Sequence, residues 1–359
     1  MPADLHWWTE PGQIELLARA IASGADPDER DEEGRAPLHV AASVDRADAV
    51  DTLLAAGADA NVRDAGGRTP ILVAALHGHP AAMRSLWEFG ADLRAADGRG
   101  ESPLLAALSW ASVELVEEML ERGADAAHRG PEGATALHRV CQRGVTSPVD
   151  SLVDEVTGVE PDRSKGRDET IARLDDERLL ELFLAEGVGA DTADDQGATA
   201  LHAAARNGLA WAVTILVAHG ADVNARDRYG TTPLHVARDA AIARALVERR
   251  AELDARNAEG NTPLHTAIAV GRESVVDCLL DAGAQVSLAD AEGRTALHVA
   301  ALAGRAQTVE RLLREGAAPD ASDAHGDTPL QAARRAGHTH VVTTLKRRGR
   351  RTGFPFFRK

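Results

Sequence analysis

The sequence predicts an all-α fold: a solenoid of repeated helix–turn–helix pairs with short hairpin-like loops. Three observations predict it. A glycine recurs at Gly34, Gly67, Gly100, Gly133, Gly197, Gly230, Gly260, Gly293 and Gly326, at intervals of 33 residues interrupted by one of 64 and one of 30. Two residues after each stands a variant of one tetrapeptide: APLH at Ala36–His39, TPIL at Thr69–Leu72, SPLL at Ser102–Leu105, TALH from Thr135, Thr199 and Thr295, TPLH from Thr232 and Thr262, and TPLQ at Thr328–Gln331. Between tetrapeptides run two apolar stripes at helical spacing. Two helices this short cannot bury both stripes alone, so each pair needs a copy of itself on either side.

The stretch Asn257–Ala289 shows the unit best. Gly260 sets a turn, Thr262 can cap a helix and Pro263 favours its first turn. Leu264, Ala267 and Ile268 share one face, and Gly271 breaks the chain. Val275, Val276, Leu279 and Leu280 form a second stripe that Gly283 ends. With Gly-Ala-Asp followed by Asn-Ala, complete at Gly220–Ala225, the pattern resembles the ankyrin repeat, whose period is about 33 residues with a T-P-L-H signature. The resemblance spans nearly the whole chain. It implies that His39, His138, His202, His235, His265 and His298 are structural, each bonding to backbone in neighbouring loops. Leu72 and Leu105 replace that histidine with apolar packing. It also implies that partners bind at the hairpin tips and on the exposed side of the first helices, along a concave face.

In chain order, residues 1–30 are expected to form a capping half-repeat. Ile14, Leu17 and Ile21 line one face, and Trp7 and Trp8 are expected to cover the end of the stack. Residues 31–144 hold repeats one to three and the first half of repeat four. An insertion of 31 residues, 145–175, then separates the two helices of repeat four. Within it, Ser147-Pro148 opens a short amphipathic helix carrying Val149, Leu152, Val153 and Val156. The stripe Ile171, Leu174 and Leu179 predicts that the following helix is lengthened at its start by about two turns. Residues 176–322 complete repeat four and hold repeats five to eight. Repeat six is three residues short, and HVARDAAIARALVERRAELD is expected to run almost straight through. Residues 323–349 form the C-terminal capping repeat, with Thr339, Thr343, Thr344 and Lys346 facing water, and 350–359 are a basic-aromatic tail.

Apolar residues make up 44% of the chain but aromatics only 3%, which suits small side chains between close-packed helices. The formal charge is −16, yet residues 346–359 carry seven basic residues and no acidic one, which leaves −23 on the rest. Binding of nucleic acid by the body is therefore not expected. Cys141 and Cys278 read as small buried hydrophobes, with no metal spacing. The start of the chain has no signal-peptide pattern and no apolar run reaches a membrane-spanning length, so a cytoplasmic setting is expected.

No GxSxG, HExxH, P-loop or strand-linked GxGxxG is present, so neither enzyme activity nor a cofactor is expected. His77-Gly-His79 and His338-Thr-His340 lack a third ligand for a metal. Asp64, Asp97, Asp194, Asp227, Asp290 and Asp323 sit where a turn needs an acceptor for backbone N–H groups. What remains is surface. Candidate partner-binding residues are Arg68, Arg99 and Tyr229 at the tips, and His77, Trp110, Arg143, Arg206 and Asn207 at first-helix ends. Trp110 and Tyr229 are aromatics where the frame needs none, and aromatics and arginine are the usual anchors of interfaces. The function expected is a non-catalytic protein–protein interaction module, a scaffold or adaptor. The alternative is an inhibitor or immunity-type protein that occludes a basic toxin or enzyme. The insertion, with ten acidic and five basic residues over 145–178, is expected to edge the site. The tail reads either as a solvated end or as a docking peptide for an acidic partner, an anionic lipid surface or RNA.

Overall fold

The computed structural model describes residues 13–143 and 169–351. Trp7, Trp8, the helix expected at 148–156 and residues 352–359 of the tail lie outside them. The described residues form eighteen α-helices and no strand; one isolated bridge pairs Ala289 with Thr295. The all-α repeat architecture is thus the observed one. The chain divides into two compact units, Met1–Gly189 and Ala190–Lys359.

In the first unit a single helix α1 (Ile14–Ala22) precedes four pairs. These are α2 and α3 (Pro37–Ser43, Ala47–Ala55), α4 and α5 (Pro70–His77, Pro80–Glu88), α6 and α7 (Pro103–Ala107, Val113–Glu121), and α8 and α9 (Ala136–Val140, Glu169–Ala185). First helices pack on first helices and second on second, α2 on α4 on α6 and α1 on α3 on α5. In the second unit the order is α10 and α11 (Ala200–Asn207, Ala210–Ala218), a lone α12 (Ala240–Glu248), α13 and α14 (Pro263–Val270, Glu273–Asp281), α15 and α16 (Ala296–Leu302, Ala306–Arg314), and α17 and α18 (Pro329–Arg335, Thr339–Arg351).

The tetrapeptide explains how each first helix starts. Its Thr or Ser is the extended N-cap, and proline, where present, follows at the first helical position. The next residues enter the core: Leu38, Leu137, Leu201, Leu264 and Leu297 are all fully buried. The tips are held by one recurrent device. Oδ1 of Asp64 accepts the N–H of Gly66 and of Arg68, both at 2.9 Å. The same pair of bonds forms at Asp97, Asp194, Asp227, Asp290 and Asp323, and at Asp31 and Asn257. Consecutive tips are stitched by a backbone bond, as from Ala291 N–H to the Glu259 carbonyl at 2.9 Å. That closeness explains Gly260. Its φ is +75°, and a Cβ there would lie 2.7 Å from Ala291 N.

Repeat six departs from the expected straight run. Residues 233–236 make only a turn, and the chain breaks before Asp239, whose side chain caps Ile242 N–H at 3.0 Å and starts α12 afresh. The three missing residues remove the end of the first helix, and too little is left for a hydrogen-bonded helix to propagate. Helix α9 does carry the expected extension, with 17 residues where α3, α5 and α7 have nine. Leu179, Leu180 and Phe183 are fully buried, but Leu174 on the extension is 54% exposed. The capping repeat has Thr339 and Thr343 exposed, with Val341 and Leu345 buried beneath them.

Candidate partner-binding surface

The tetrapeptide histidines show how the polar side chains are used. Nδ1 of His265 accepts the Thr262 N–H at 3.3 Å, so that nitrogen carries no proton. Nε2–H then donates to the Arg294 carbonyl in the next repeat, at 3.1 Å. His39, His202, His235 and His298 repeat both bonds, reaching the carbonyls of Arg68, Thr231, Asn261 and Asp327. Burial holds His39, His202, His235 and His265 below the usual histidine range, against a raising pull from the same carbonyls. These are neutral struts between repeats.

A second set of struts joins the places where the first segment of each repeat ends. The acceptors are backbone carbonyls at or just beyond the ends of the first segments of the repeats. In the first unit His79 Nε2 donates to Ser43 O at 3.0 Å, Trp110 Nε1 to Ala75 O at 2.7 Å, and Arg143 Nη2 to Ala111 O at 3.1 Å. In the second unit Arg238 reaches Asn207 O at 3.4 Å, Arg272 reaches Ala237 O at 3.0 Å and His338 reaches Leu302 O at 2.9 Å. Histidine, tryptophan and arginine thus perform one task, each reaching back about one repeat.

This geometry sorts the eight candidates. In the first unit Trp110 also lies over Gly78, where a Cβ would meet the indole at 3.7 Å. Arg143, with 7% of its side chain exposed, pairs through Nε with Asp176 of α9 at 2.9 Å. His77 donates Nδ1–H to Val73 O at 2.8 Å, and its ring stacks on His79 with centroids 5.9 Å apart. Arg68 grips Asp64, which is buried, through Nε and Nη2, both at 2.7 Å. Arg99 sits exposed at its tip. In the second unit Arg206 is exposed at the end of α10, and the Asn207 carbonyl beside it takes the Arg238 bond. Tyr229 is 53% exposed and carries the Arg228 guanidinium 4.7 Å from its ring centroid, with Nη2 2.6 Å from the phenol oxygen. That tip presents a cation and an aromatic as one preformed group.

Sequence reasoning missed Val44 and Val270, 48% and 62% exposed at the ends of α2 and α13. Val44 caps the end of α2 and Val270 is the last residue of α13, and a valine on a helical stripe reads from sequence as core. Among the described residues no three His, Cys, Asp or Glu side chains are placed to hold a metal ion. No helix there is long and apolar enough to cross a membrane.

Comparison with known proteins fits this geometry. A family described as ankyrin repeats (3 copies) matches residues 5–97, 45–130, 169–257 and 282–352, and one described as ankyrin repeats (many copies) matches 239–280. These matches cover well over half of the chain, and the protein belongs to the ankyrin repeat family. It is 31% identical over 121 residues to the B-cell lymphoma 3 protein homolog of Mus musculus, a match covering 33% of this chain and 27% of that protein. It is 40% identical over 67 residues to protein phosphatase 1 regulatory subunit 27 of Mus musculus, covering 19% of this chain and 44% of that one. A third similarity, 39% over 66 residues, is to an ankyrin repeat-containing protein of Schizosaccharomyces pombe, covering 18% and 32%. The chain thus spans less than half the length of each of these relatives.

Proposed function

We propose that this protein is a non-catalytic binding module that holds a protein partner on its tips and first-helix ends. One observation carries the reading. Within each unit, polar side chains at the first-helix ends are already engaged in joining repeats, which makes each unit a rigid frame. Arg99 stands exposed on the first unit, and Arg206 and the Arg228–Tyr229 pair on the second. Side chains ordered before binding lose little entropy on binding. Arg68, His77, Trp110, Arg143 and Asn207 belong to the proposed surface as the residues that shape and hold it. One relative bears the name of a phosphatase regulatory subunit, which fits action by binding. The formal −23 outside residues 346–359 favours a scaffold or inhibitor whose partner is basic, steered by charge. A cytoplasmic setting accords with Cys141 and Cys278 remaining outside any disulfide; burial and the Asp176 charge push the Cys141 thiol up to about 12.

The test is affinity capture from the native cell with the wild-type protein and with an Arg206→Ala/Tyr229→Ala variant. A protein retained by the first and lost by the second supports the reading. A protein retained equally by both moves the site away from the second unit's tip and first helix.

A further inference from the structure

We propose that four arginines in the second unit, where the first segments of repeats five to eight end, hold an extended acidic segment of the protein partner. The inference rests on the partner-binding reading and names the chemistry of what is bound. Arg206 and Arg238 are exposed, and Arg272 and Arg305 are half-buried. They form one line, because each touches the chain next to the one before it. Arg238 donates to the Asn207 carbonyl, next to Arg206, at 3.4 Å, and Arg272 to the Ala237 carbonyl, next to Arg238, at 3.0 Å. The Arg305 guanidinium lies against Gly271, next to Arg272: a Cβ there would stand 2.6 Å from Arg305 Cζ.

None of the four pairs with a carboxylate among the described residues. Other arginines of the unit do: Arg294 with Asp290 at 2.8 Å, Arg311 with Asp281 at 2.7 Å, and Arg226 with Glu252 at 3.4 Å. The carboxylates adjacent in sequence are used otherwise. Asp239 caps Ile242 N–H at 3.0 Å, and Glu273 takes the Thr308 hydroxyl. A guanidinium has five N–H donors, so one carbonyl leaves most of them open. Nε of Arg305 is buried without a partner, so the frame leaves that guanidinium unsatisfied.

Two features choose the occupant. Val270, 62% exposed, precedes Gly271 and so adjoins the Arg305 guanidinium, which gives the line an apolar point among its charges. Packed helices stand about 8–10 Å apart, so successive arginines recur at about that interval. A polyproline II segment repeats every three residues, about 9 Å, and can set a carboxylate on each arginine. An apolar side chain between two carboxylates then meets Val270. A nucleic-acid strand fits less well, because its bases need aromatics to stack on. Among the described residues of the unit, Trp211 lies on α11 and Tyr229 at a tip, away from the line. The chain's net negative charge acts on the partner as a whole; within about 10 Å, the reach left by salt, the arginines act on the segment they touch.

The experiment is fluorescence anisotropy of the full chain with labelled peptides of about 12 residues, one repeating Glu-Leu-Pro and one repeating Gln-Leu-Pro. Expected is binding at least about tenfold tighter for the glutamate peptide, weakened by about 0.5 M salt as screening shortens the reach of the charges. Arg305→Gln and Arg206→Gln should each weaken it at least about fivefold. Val270→Ser should weaken both peptides. Arg206 is exposed and makes no side-chain bond, so melting of that variant should match wild type. Equal affinity for the two peptides, or undiminished binding by Arg206→Gln and Arg305→Gln, would overturn the proposal. So would tighter binding of an oligothymidylate of equal charge. Failure of the glutamate peptide to bind, with a partner still captured through Arg206 and Tyr229, would overturn this inference and leave the partner-binding reading intact.

Discussion

The hydroxyl of Thr69 is buried without a hydrogen-bond partner, and the cause lies three residues on. In the repeats that keep histidine, the threonine hydroxyl bonds to Nδ1, as Thr262 does to His265 at 2.8 Å; in repeat two that position is Leu72. A buried hydroxyl without a partner destabilises, whereas a paired one contributes about 1 kcal/mol. Thr69→Val should therefore be neutral or stabilising, and Thr262→Val should cost about 1–2 kcal/mol in urea unfolding. The histidines also set a pH dependence. The native state keeps His39, His202, His235 and His265 neutral, below the ordinary value of 6.5, chiefly through burial. Their contribution to stability is full above about pH 6.5, where both states are neutral. It is lost as pH falls from there through the lowered native values, because the unfolded chain takes up the protons first. Urea midpoints at about pH 7.5 and 5.5 should show this loss, and His265→Leu should reduce it; a midpoint unchanged by pH would contradict the neutral-strut assignment. At this scale the roles of the aspartates and histidines were legible because one residue type recurs at one place. Those of Trp110 and Arg143 were not, because the residue that reaches back is histidine, tryptophan or arginine and stands at differing distances from the marker glycine, and only the carbonyl each reaches shows the shared purpose.

Among elements, repeat six and helix α9 show where periodicity informs and where it misleads. The stripe of Ile171, Leu174 and Leu179 foretold the longer α9, since backbone periodicity needs only consistent spacing. It did not foretell that Leu174 faces water, because that depends on how much neighbouring surface reaches the extension. In repeat six the apolar pattern reads as a continuous helix, and the Asp239 cap decides otherwise. With the first helix reduced to a turn, α12 relies on that cap. Asp239→Ala should cost about 0.5–2 kcal/mol and speed amide exchange over 240–248; exchange unchanged there would show that packing alone holds α12. Arg143 joins the end of repeat four's first helix to α9 through Asp176. Arg143→Ala leaves that carboxylate, 18% exposed, without this ion pair and should lower stability by about 1.5–3 kcal/mol. Replacing 145–168 with a short Gly-Ser turn should leave α9 in place, because a longer loop adds little to the entropy of closure.

For the molecule as a whole, the repeat frame was legible almost residue by residue, because every unit obeys the same local chemistry. The division after Gly189 was not, since tetrapeptides continue in register on both sides of it. Frame and surface are separate in this protein. Leu264 and Leu297 are fully buried, and truncating either to alanine should destabilise by about 2–5 kcal/mol. Arg206→Ala, at an exposed site, should stay within about 0.5 kcal/mol. The most direct test is calorimetric titration of the captured partner against wild type and the Arg206→Ala/Tyr229→Ala variant, with melting followed on both proteins. The account predicts an affinity at least about tenfold weaker, equivalent to about 1.4 kcal/mol, with the melting temperature essentially unchanged. Undiminished affinity, or a loss of affinity matched by a loss of folding, would contradict it.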